Sequence, residues 1–510
     1  MKKILREFRK MISRRMLIAL LILLQFAMLG TLFIRSYHLL WFVRILNLIS
    51  IVTALHLMTR PDKSAFKLSL VFLILLFPIF GGAVYWIMHF QTAGVGFRRS
   101  LKEIEARTRG AIQPSKDLLP AVGDELSDEI KQIRYLQNTA GFPLFDNTAV
   151  TYFHHGRPML NSLTEDLRSA ERYIFLEYFI IEEGVMWDSI LEILKEKAAH
   201  GVDVRVIYDD LGCFLTLPPS YAKELQSFGI RCMVFNKFLP LLTCLQNNRD
   251  HRKIAVIDGK IAYTGGINLA DEYIGEKQKF GVWKDCAVRL CGDAAWGFTV
   301  MFLQTWELLT RQEEKFLDYL SQKRENVTDR GWVQPYTDSP IDRENVGEQV
   351  YLQIIQGAKR YLYLTTPYLM VDDNLLSALK LAAKSGVDVR ILTPGIPDKK
   401  SVHFTTRSYY RELVEAGVRV YEFQEGFVHS KSFVSDDAVA TVGTFNLDYR
   451  SLYLHFECGV CLYQCPAVMD VKEDFLSTLE SCREISADDC RSGFFRRVLQ
   501  NIMRIFAPLM

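Results

Sequence analysis

The chain has 510 residues, of which 49% are hydrophobic, and a formal net charge of +2. That length allows several domains, and the apolar fraction is high enough for membrane segments beside a globular core. The near-balanced charge excludes the global basic field of a typical nucleic-acid binder, so no nucleic acid is expected as a partner.

Residues 1–15 carry seven Lys or Arg and one acid, Glu7. The 19-residue run Met16 to Ile34 follows, broken only by Gln25, Gly30 and Thr31. Its length matches a bilayer span, and the absence of a small-residue cleavage site argues against a signal peptide. A second run, Leu39 to Met58, contains Arg44, Asn47 and His56 and is weaker. A third, Leu68 to Met88, contains Pro78 and Gly81-Gly82 and ends near Tyr85-Trp86, which suit an interfacial anchor. Basic residues flank both ends of the set, with Arg98, Arg99, Lys102, Arg107 and Arg109 beyond the third run. Three crossings would put these clusters on opposite sides, so the expectation is two crossings, with the middle run at the interface or re-entrant. Residues 1–90 thus read as a multi-pass membrane anchor with two or three hydrophobic helices, and 91–140 as a helical connector. The catalytic part is expected on the cytoplasmic face. The scattered cysteines read as reduced thiols there.

From about residue 141 an α/β alternation begins and then repeats. Ala170-Glu171-Arg172-Tyr173-Ile174-Phe175-Leu176 is answered by Ala358-Lys359-Arg360-Tyr361-Leu362-Tyr363-Leu364. Gly201-Val202-Asp203-Val204-Arg205 is answered by the identical Gly386-Val387-Asp388-Val389-Arg390. Strand–helix–strand order implies helices layered on a sheet. The two halves read as 141–325 and 326–490, joined by a polar linker around 320–345.

Each half carries His, any residue, Lys, four residues, Asp: His251, Lys253 and Asp258, then His429, Lys431 and Asp436. Gly265 and Gly443 lie 14 residues after their His, and Asn268 and Asn446 lie 17 after. Five positions repeated in register are far outside chance. Residues i and i+2 of a strand share a face, so each His projects with its Lys. Gly265-Gly266 and Gly443 permit close backbone approach at the strand ends. Two imidazoles, two cations and two amides suit a phosphodiester. Lys and Asn hold the non-bridging oxygens, one His attacks to form a phosphohistidine, and the other protonates the departing alkoxide. This scheme needs no metal and no cofactor.

On these motifs the chain resembles the phospholipase D superfamily and, within it, the bacterial cardiolipin synthases. Many superfamily members follow the motif with Gly-Ser. This chain has Gly265-Gly266 and Gly443-Thr444, and the first of these resembles the cardiolipin synthase form. The resemblance implies two pseudo-symmetric α/β halves sharing one active site, preceded here by transmembrane helices. It implies that a later carboxylate in each half orients a catalytic His, a role carried onto Asp285 and Glu457. Within the catalytic motif, the resemblance implies structural rather than chemical work for Asp258 and Asp436. Gly265, Gly266, Thr444, Asn268 and Asn446 are carried over as substrate-binding. The implied reaction joins two phosphatidylglycerols into cardiolipin and glycerol, with His251 as nucleophile and His429 as general acid and base. Both lipids would be membrane partners.

Glu177-Tyr178 and Pro367-Tyr368 sit at matching strand ends and are read either as lining the site mouth or as packing. Asp398 is placed in a loop near the substrate. Residues 491–510, with apolar residues at helical spacing beside Arg496, Arg497 and Arg504, read as an amphipathic helix lying on a bilayer or on the domain. Hydrolysis stays open, as a phospholipase D making phosphatidic acid or a nuclease acting on another phosphodiester, because water or a lipid alcohol can meet the same intermediate. A non-catalytic scaffold is disfavoured by both motifs being intact.

Overall fold

The computed structural model describes residues 40–510 apart from 62, 78–80, 83–84, 87–92, 113–117, 124, 238–246, 322–326, 328–329 and 343, together with residues 23 and 27. The chain divides into two compact units. One takes Met1–Gly96, Phe238–Asn247 and Ile502–Met510, and the other Phe97–Lys237 and Asn248–Asn501.

In the first unit the middle apolar run forms the helix Leu40–Met58, and a second helix covers Ser64–Leu76. The expected third span is not one continuous helix, because the helix ends at Phe77. The physical reason is in the sequence. Phe77 precedes Pro78, whose ring disfavours helical backbone in the residue before it. Among the described residues no helix is long and apolar enough to cross a membrane. The expectation of a span over Met16 to Ile34 falls outside the described residues. The end of the C-terminal helix Phe494–Phe506 meets the Ser64–Leu76 helix here: Ser69 Oγ donates to the Ile505 carbonyl at 2.5 Å, and Phe72 and Phe506 meet edge to face at 5.5 Å.

The second unit contains both halves. The first half supplies β1 (Thr148–Phe153), β2 (Tyr173–Tyr178), β3 (Asp203–Asp209), β4 (Arg231–Phe235), β5 (Arg249–Asp250), β6 (Lys253–Ile257), β7 (Ile261–Gly265), β8 (Val282–Lys284) and β9 (Ala287–Gly292). The second supplies β10 (Trp332–Asp338), β11 (Tyr361–Thr365), β12 (Asp388–Pro394), β13 (Arg419–Phe423), β14 (Gly426–Val428), β15 (Ser432–Ser435), β16 (Val439–Gly443), β17 (His455–Tyr463) and β18 (Cys482–Glu484). The main sheets run β1-β9-β7-β6-β2-β3-β4 and β10-β17-β16-β15-β11-β12-β13-β18. Their inner parts match strand for strand. β2, β3 and β4 are parallel, as are β11, β12 and β13, whereas β6 and β15 join antiparallel as hairpins with β7 and β16.

The two sheets share one core. Phe175, Val256 and Val288 from the first and Val434, Val442 and Val460 from the second lie in a single buried cluster with Phe298 and Phe302. These last two belong to the helix Ala295–Thr310, whose residues 295–308 are all buried. A helix apolar on every side has its place inside a core. On the other face of the first sheet, the helices Gly156–Ser169 and Val185–Ala199 pack through Leu163, Leu167, Trp187 and Ile190. The connector is helical over Ala93–Ile112, with Leu101, Ile104 and Ile112 in the shared core.

The hairpin turns explain Asp258 and Asp436. Both have positive φ, 52° and 56°, which Asp tolerates better than most residues. Asp258 accepts from the backbone amides of Glu171, Arg172 and Tyr173 at 2.8–2.9 Å. Asp436 accepts from those of Lys359, Arg360 and Tyr361 at 2.6–2.9 Å. Each carboxylate holds the start of the neighbouring strand, so the last residue of each motif has a structural place rather than a catalytic one.

Candidate active site

Two short strand pairs join the halves where the motifs lie. β5 runs parallel to β17, with His455 opposite Arg249 and Phe456 opposite Asp250. β8 runs parallel to β14, with Trp283 opposite Phe427 and Lys284 opposite Val428. Each pairing continues one step into a motif. The His251 amide donates to the Phe456 carbonyl at 2.9 Å, and the His429 amide donates to the Lys284 carbonyl at 2.7 Å. Each motif His is thereby held beside the residue that precedes the other half's carboxylate.

The consequence is a crossed arrangement. His251 Nδ1 lies 3.0 Å from both oxygens of Glu457, and His429 Nδ1 lies 2.7 Å from Asp285 Oδ2. Each imidazole is therefore oriented from the opposite half, and neither half holds a complete His–carboxylate pair. The bond fixes the tautomer: with the proton on Nδ1, the Nε2 lone pair is left to react.

The two carboxylates are held differently. Glu457 also accepts from the hydroxyls of Thr444 and Ser451. Asp285 accepts from the backbone amide of Cys286 at 2.8 Å. Gly266 stands where Thr444 stands in the other half, and a Cβ there would lie 2.0 Å from Asp285 Oδ1. A hydroxyl-bearing residue at 266 would collide with the carboxylate that its counterpart assists.

Both lysines are buried, at 1% exposure. Lys253 Nζ donates to the His251 carbonyl and Lys431 Nζ to the His429 carbonyl. Burial lowers Lys253 to about 7 and Lys431 to about 8. Burial also lowers His429 to about 4, with Lys431 adding to the effect and Asp285 opposing it. His251 is pushed well below its usual value by burial and then by Lys253. Burial raises Glu457 to about 8, against the pull of Lys253 and the two hydroxyls. Burial thus disfavours the charged forms of both imidazoles and both lysines, and a bound anion would favour those charged forms again.

The other expected residues divide. Asn268 spends its side chain internally: Oδ1 accepts from the Ile180 amide at 3.0 Å and Nδ2 donates to Tyr273 Oη at 2.7 Å. That leaves one N–H for a ligand, rather than the whole amide expected from sequence. Asn446 Oδ1 is buried without a hydrogen-bond partner. Gly265 and Gly443 close β7 and β16 against Cys286 and Cys458, where a Cβ would come within 2.4 and 2.5 Å of the backbone oxygens. Glu177 does not line the mouth. It is fully buried and paired with Arg252 at 2.8 Å. Tyr368 Oη donates to Asp398 Oδ2 at 2.6 Å, which ties that loop to the strand end after β11. Cys213, Cys232, Cys286, Cys458, Cys461 and Cys465 are buried thiols.

Sequence reasoning missed the aromatic surroundings. The Phe179 ring centroid lies 4.9 Å from that of His251, and Trp283, Tyr273 and Phe427 lie 5.5, 5.7 and 5.9 Å from that of His429. It also missed His455. Strand alternation was the available signal, because His455 stands two residues before Glu457 and shares its face. His251, His455 and Glu457 each offer a potential metal-ligand atom, all within 4.8 Å of one another.

A family model described as cardiolipin synthase, PLD-like domain matches twice, over residues 163–283 and 351–479, once in each half. A cardiolipin synthase of Halalkalibacterium halodurans is 34% identical over 458 residues, covering 88% of this chain and 90% of its own. The chain belongs to the cardiolipin synthase family. A second family relative, an uncharacterized protein of Streptococcus mutans, is 42% identical over 463 residues, covering 90% of this chain and 99% of its own. Among solved structures, a phosphatidylserine synthase of Haemophilus influenzae superposes with a TM-score of 0.57 at 16% identity, over 74% of this chain and 98% of that one. That likeness supports the two-halved fold.

Proposed function

We propose that this protein is a cardiolipin synthase that works by phosphatidyl transfer between two phosphatidylglycerols. The observation that carries the reading is the pair of crossed imidazole–carboxylate contacts, each beside a buried lysine. His251 Nε2 attacks the phosphorus of one phosphatidylglycerol. The P–O bond to its head glycerol breaks, and that oxygen takes a proton from His429. A hydroxyl of a second phosphatidylglycerol then gives its proton to His429 and attacks the phosphohistidine. Cardiolipin forms and His251 is regenerated. Lys253 and Lys431 would hold the non-bridging oxygens, and Asn446 would add an amide.

The same reading makes the protein an integral membrane enzyme with its catalytic unit on the cytoplasmic face. The apolar run Met16 to Ile34 and the excess of basic residues at 1–15 favour that placement. The exposed Phe494 and Phe495 at the start of the C-terminal helix suit contact with a lipid surface. Labelling of cysteines introduced after residue 100 checks the side. Efficient labelling from outside intact cells contradicts the cytoplasmic placement.

Product analysis tests the activity. Purified protein is reconstituted with phosphatidylglycerol, with a chelator present, beside His251→Ala and His429→Ala. Cardiolipin plus free glycerol from the unsubstituted protein alone is the expected result. Phosphatidic acid in place of cardiolipin would make it a hydrolase, and no lipid turnover would end the proposal.

A further inference from the structure

The function proposed above leaves one partly buried titratable group beside the site without work. His455 opens β17, with its side chain 12% exposed. Its Nδ1 has no hydrogen-bond partner and lies 3.8 Å from Glu457 Oε1. Its ring centroid is 5.6 Å from that of His251. Strand alternation sets His455 and Glu457 on one face, and the β5–β17 pairing brings His251 alongside.

We propose that His251, His455 and Glu457 form a binding site for a zinc-class divalent metal ion, and that the ion switches His251 off. Two imidazoles and one carboxylate, with a fourth position open, make a donor set suited to zinc, cobalt or nickel. Zinc takes such ligands at about 2.0–2.2 Å, which places them roughly 3–3.5 Å apart in a tetrahedron. The His251–Glu457 contact of 3.0 Å already meets that spacing, and the His455–Glu457 contact of 3.8 Å needs a small side-chain shift.

Inhibition follows from the tautomer. In the metal-free site the His251 proton sits on Nδ1, facing Glu457, and Nε2 holds the reactive lone pair. A metal ligated through Nδ1 needs the lone pair of that nitrogen, so the ring's single proton moves from Nδ1 to Nε2. The neutral, metal-bound ring then has no Nε2 lone pair for phosphorus. Substrate and metal also compete, because Lys253 and Lys431 favour an anion and oppose a dication. The device is one-sided. The residue two before Asp285 is Trp283, whose indole nitrogen is a donor only and offers no ligand to a metal.

Cobalt serves as the optical probe and zinc as the inhibitor, on the full-length protein in detergent. The unsubstituted protein and His429→Ala should both show the visible bands of four- or five-coordinate cobalt, and both should gain thermal stability with zinc. His455→Asn should lose the bands and the gain. Its zinc inhibition, normalised to its own metal-free rate, should weaken by at least about tenfold, since even an outer-shell partner is worth 10–100-fold in affinity. Binding is read without activity, so failure of the proposed transferase reaction and failure of the metal site are distinguishable. Absence of cobalt bands in the unsubstituted protein overturns the inference. So does a His455→Asn protein as zinc-sensitive as its parent, or a His429→Ala protein that loses the bands.

Discussion

His251 and His429 occupy matching places on matching backbones, yet their carboxylates differ. Glu457 is shared among His251, Thr444 and Ser451, with His455 behind it. Asp285 receives His429 and one backbone amide, and a glycine stands where the other half has its hydroxyl. The duplicated fold thus places two imidazoles at matching positions and gives them different carboxylate partners. Burial lowers both imidazoles, and Asp285 opposes the effect at His429, which stands at about 4. A carboxylate that favours the protonated ring suits the proton-shuttle role proposed for His429.

The crossed contacts can be broken one at a time. Glu457→Gln and Asp285→Asn should each cost about 10²–10⁴ in turnover, the range of general acid–base groups and of a lost tautomer-fixing carboxylate. Single-turnover assays should separate them. Glu457→Gln should slow chiefly the formation of the phosphoenzyme, because it misorients His251, whereas Asp285→Asn should slow both that step, where His429 protonates the departing glycerol, and the second transfer, where His429 takes the proton of the incoming alcohol. Equal effects on every step would erase the distinction.

Gly266→Ala comes next in size. The added Cβ would displace Asp285, so activity should fall by about 100-fold, as for a misplaced catalytic group. Thr444→Gly leaves room and removes only a hydroxyl, so it should lose much less. Comparable losses in steady-state turnover would show that the close approach at residue 266 is not what distinguishes the halves.

Thr444→Val addresses the charge on Glu457. A hydrogen bond to the ionised form lowers a carboxylate pKa, and its loss raises it. Glu457 already stands at about 8, so the variant should carry it higher. The ionised form then appears only at higher pH. The acidic limb of the pH–rate profile should move alkaline by about one unit, the worth of one hydrogen bond of roughly 1.4 kcal/mol. A shift toward acid would contradict the account.

The smallest effect on chemistry is expected where the halves agree. Asp258→Ala and Asp436→Ala each strand three backbone amides. Each should lower stability by about 1–3 kcal/mol in denaturant titration, while the folded fraction keeps its turnover. Unequal losses would mean that the two hairpin turns differ in ways their matching contacts do not explain.

Much of this was legible in the sequence, for local reasons. The His-Lys pairs follow from alternation along a strand, and Gly201–Arg205 with its copy at 386–390 announced the parallel β2–β3 and β11–β12 pairs. The crossing was not legible. It depends on β5 against β17 and β8 against β14, strands of two to nine residues from distant parts of the chain, with no pattern that names the partner. Hydropathy over Leu68 to Met88 read as one span because it sums side chains and does not see that Pro78 ends the helix at Phe77. His455 was passed over because it lies outside the repeated motif, and only strand pairing brings it to His251.

The most direct measurement traps the covalent intermediate. Phosphatidylglycerol labelled at the phosphatidyl phosphorus is mixed with enzyme, quenched at alkaline pH, and the labelled peptide is mapped. Label on His251, slower to appear but also slower to discharge in Asp285→Asn and lost in Glu457→Gln, is the predicted result. Label on His429 would reverse the two halves and contradict the assignment drawn from their carboxylates.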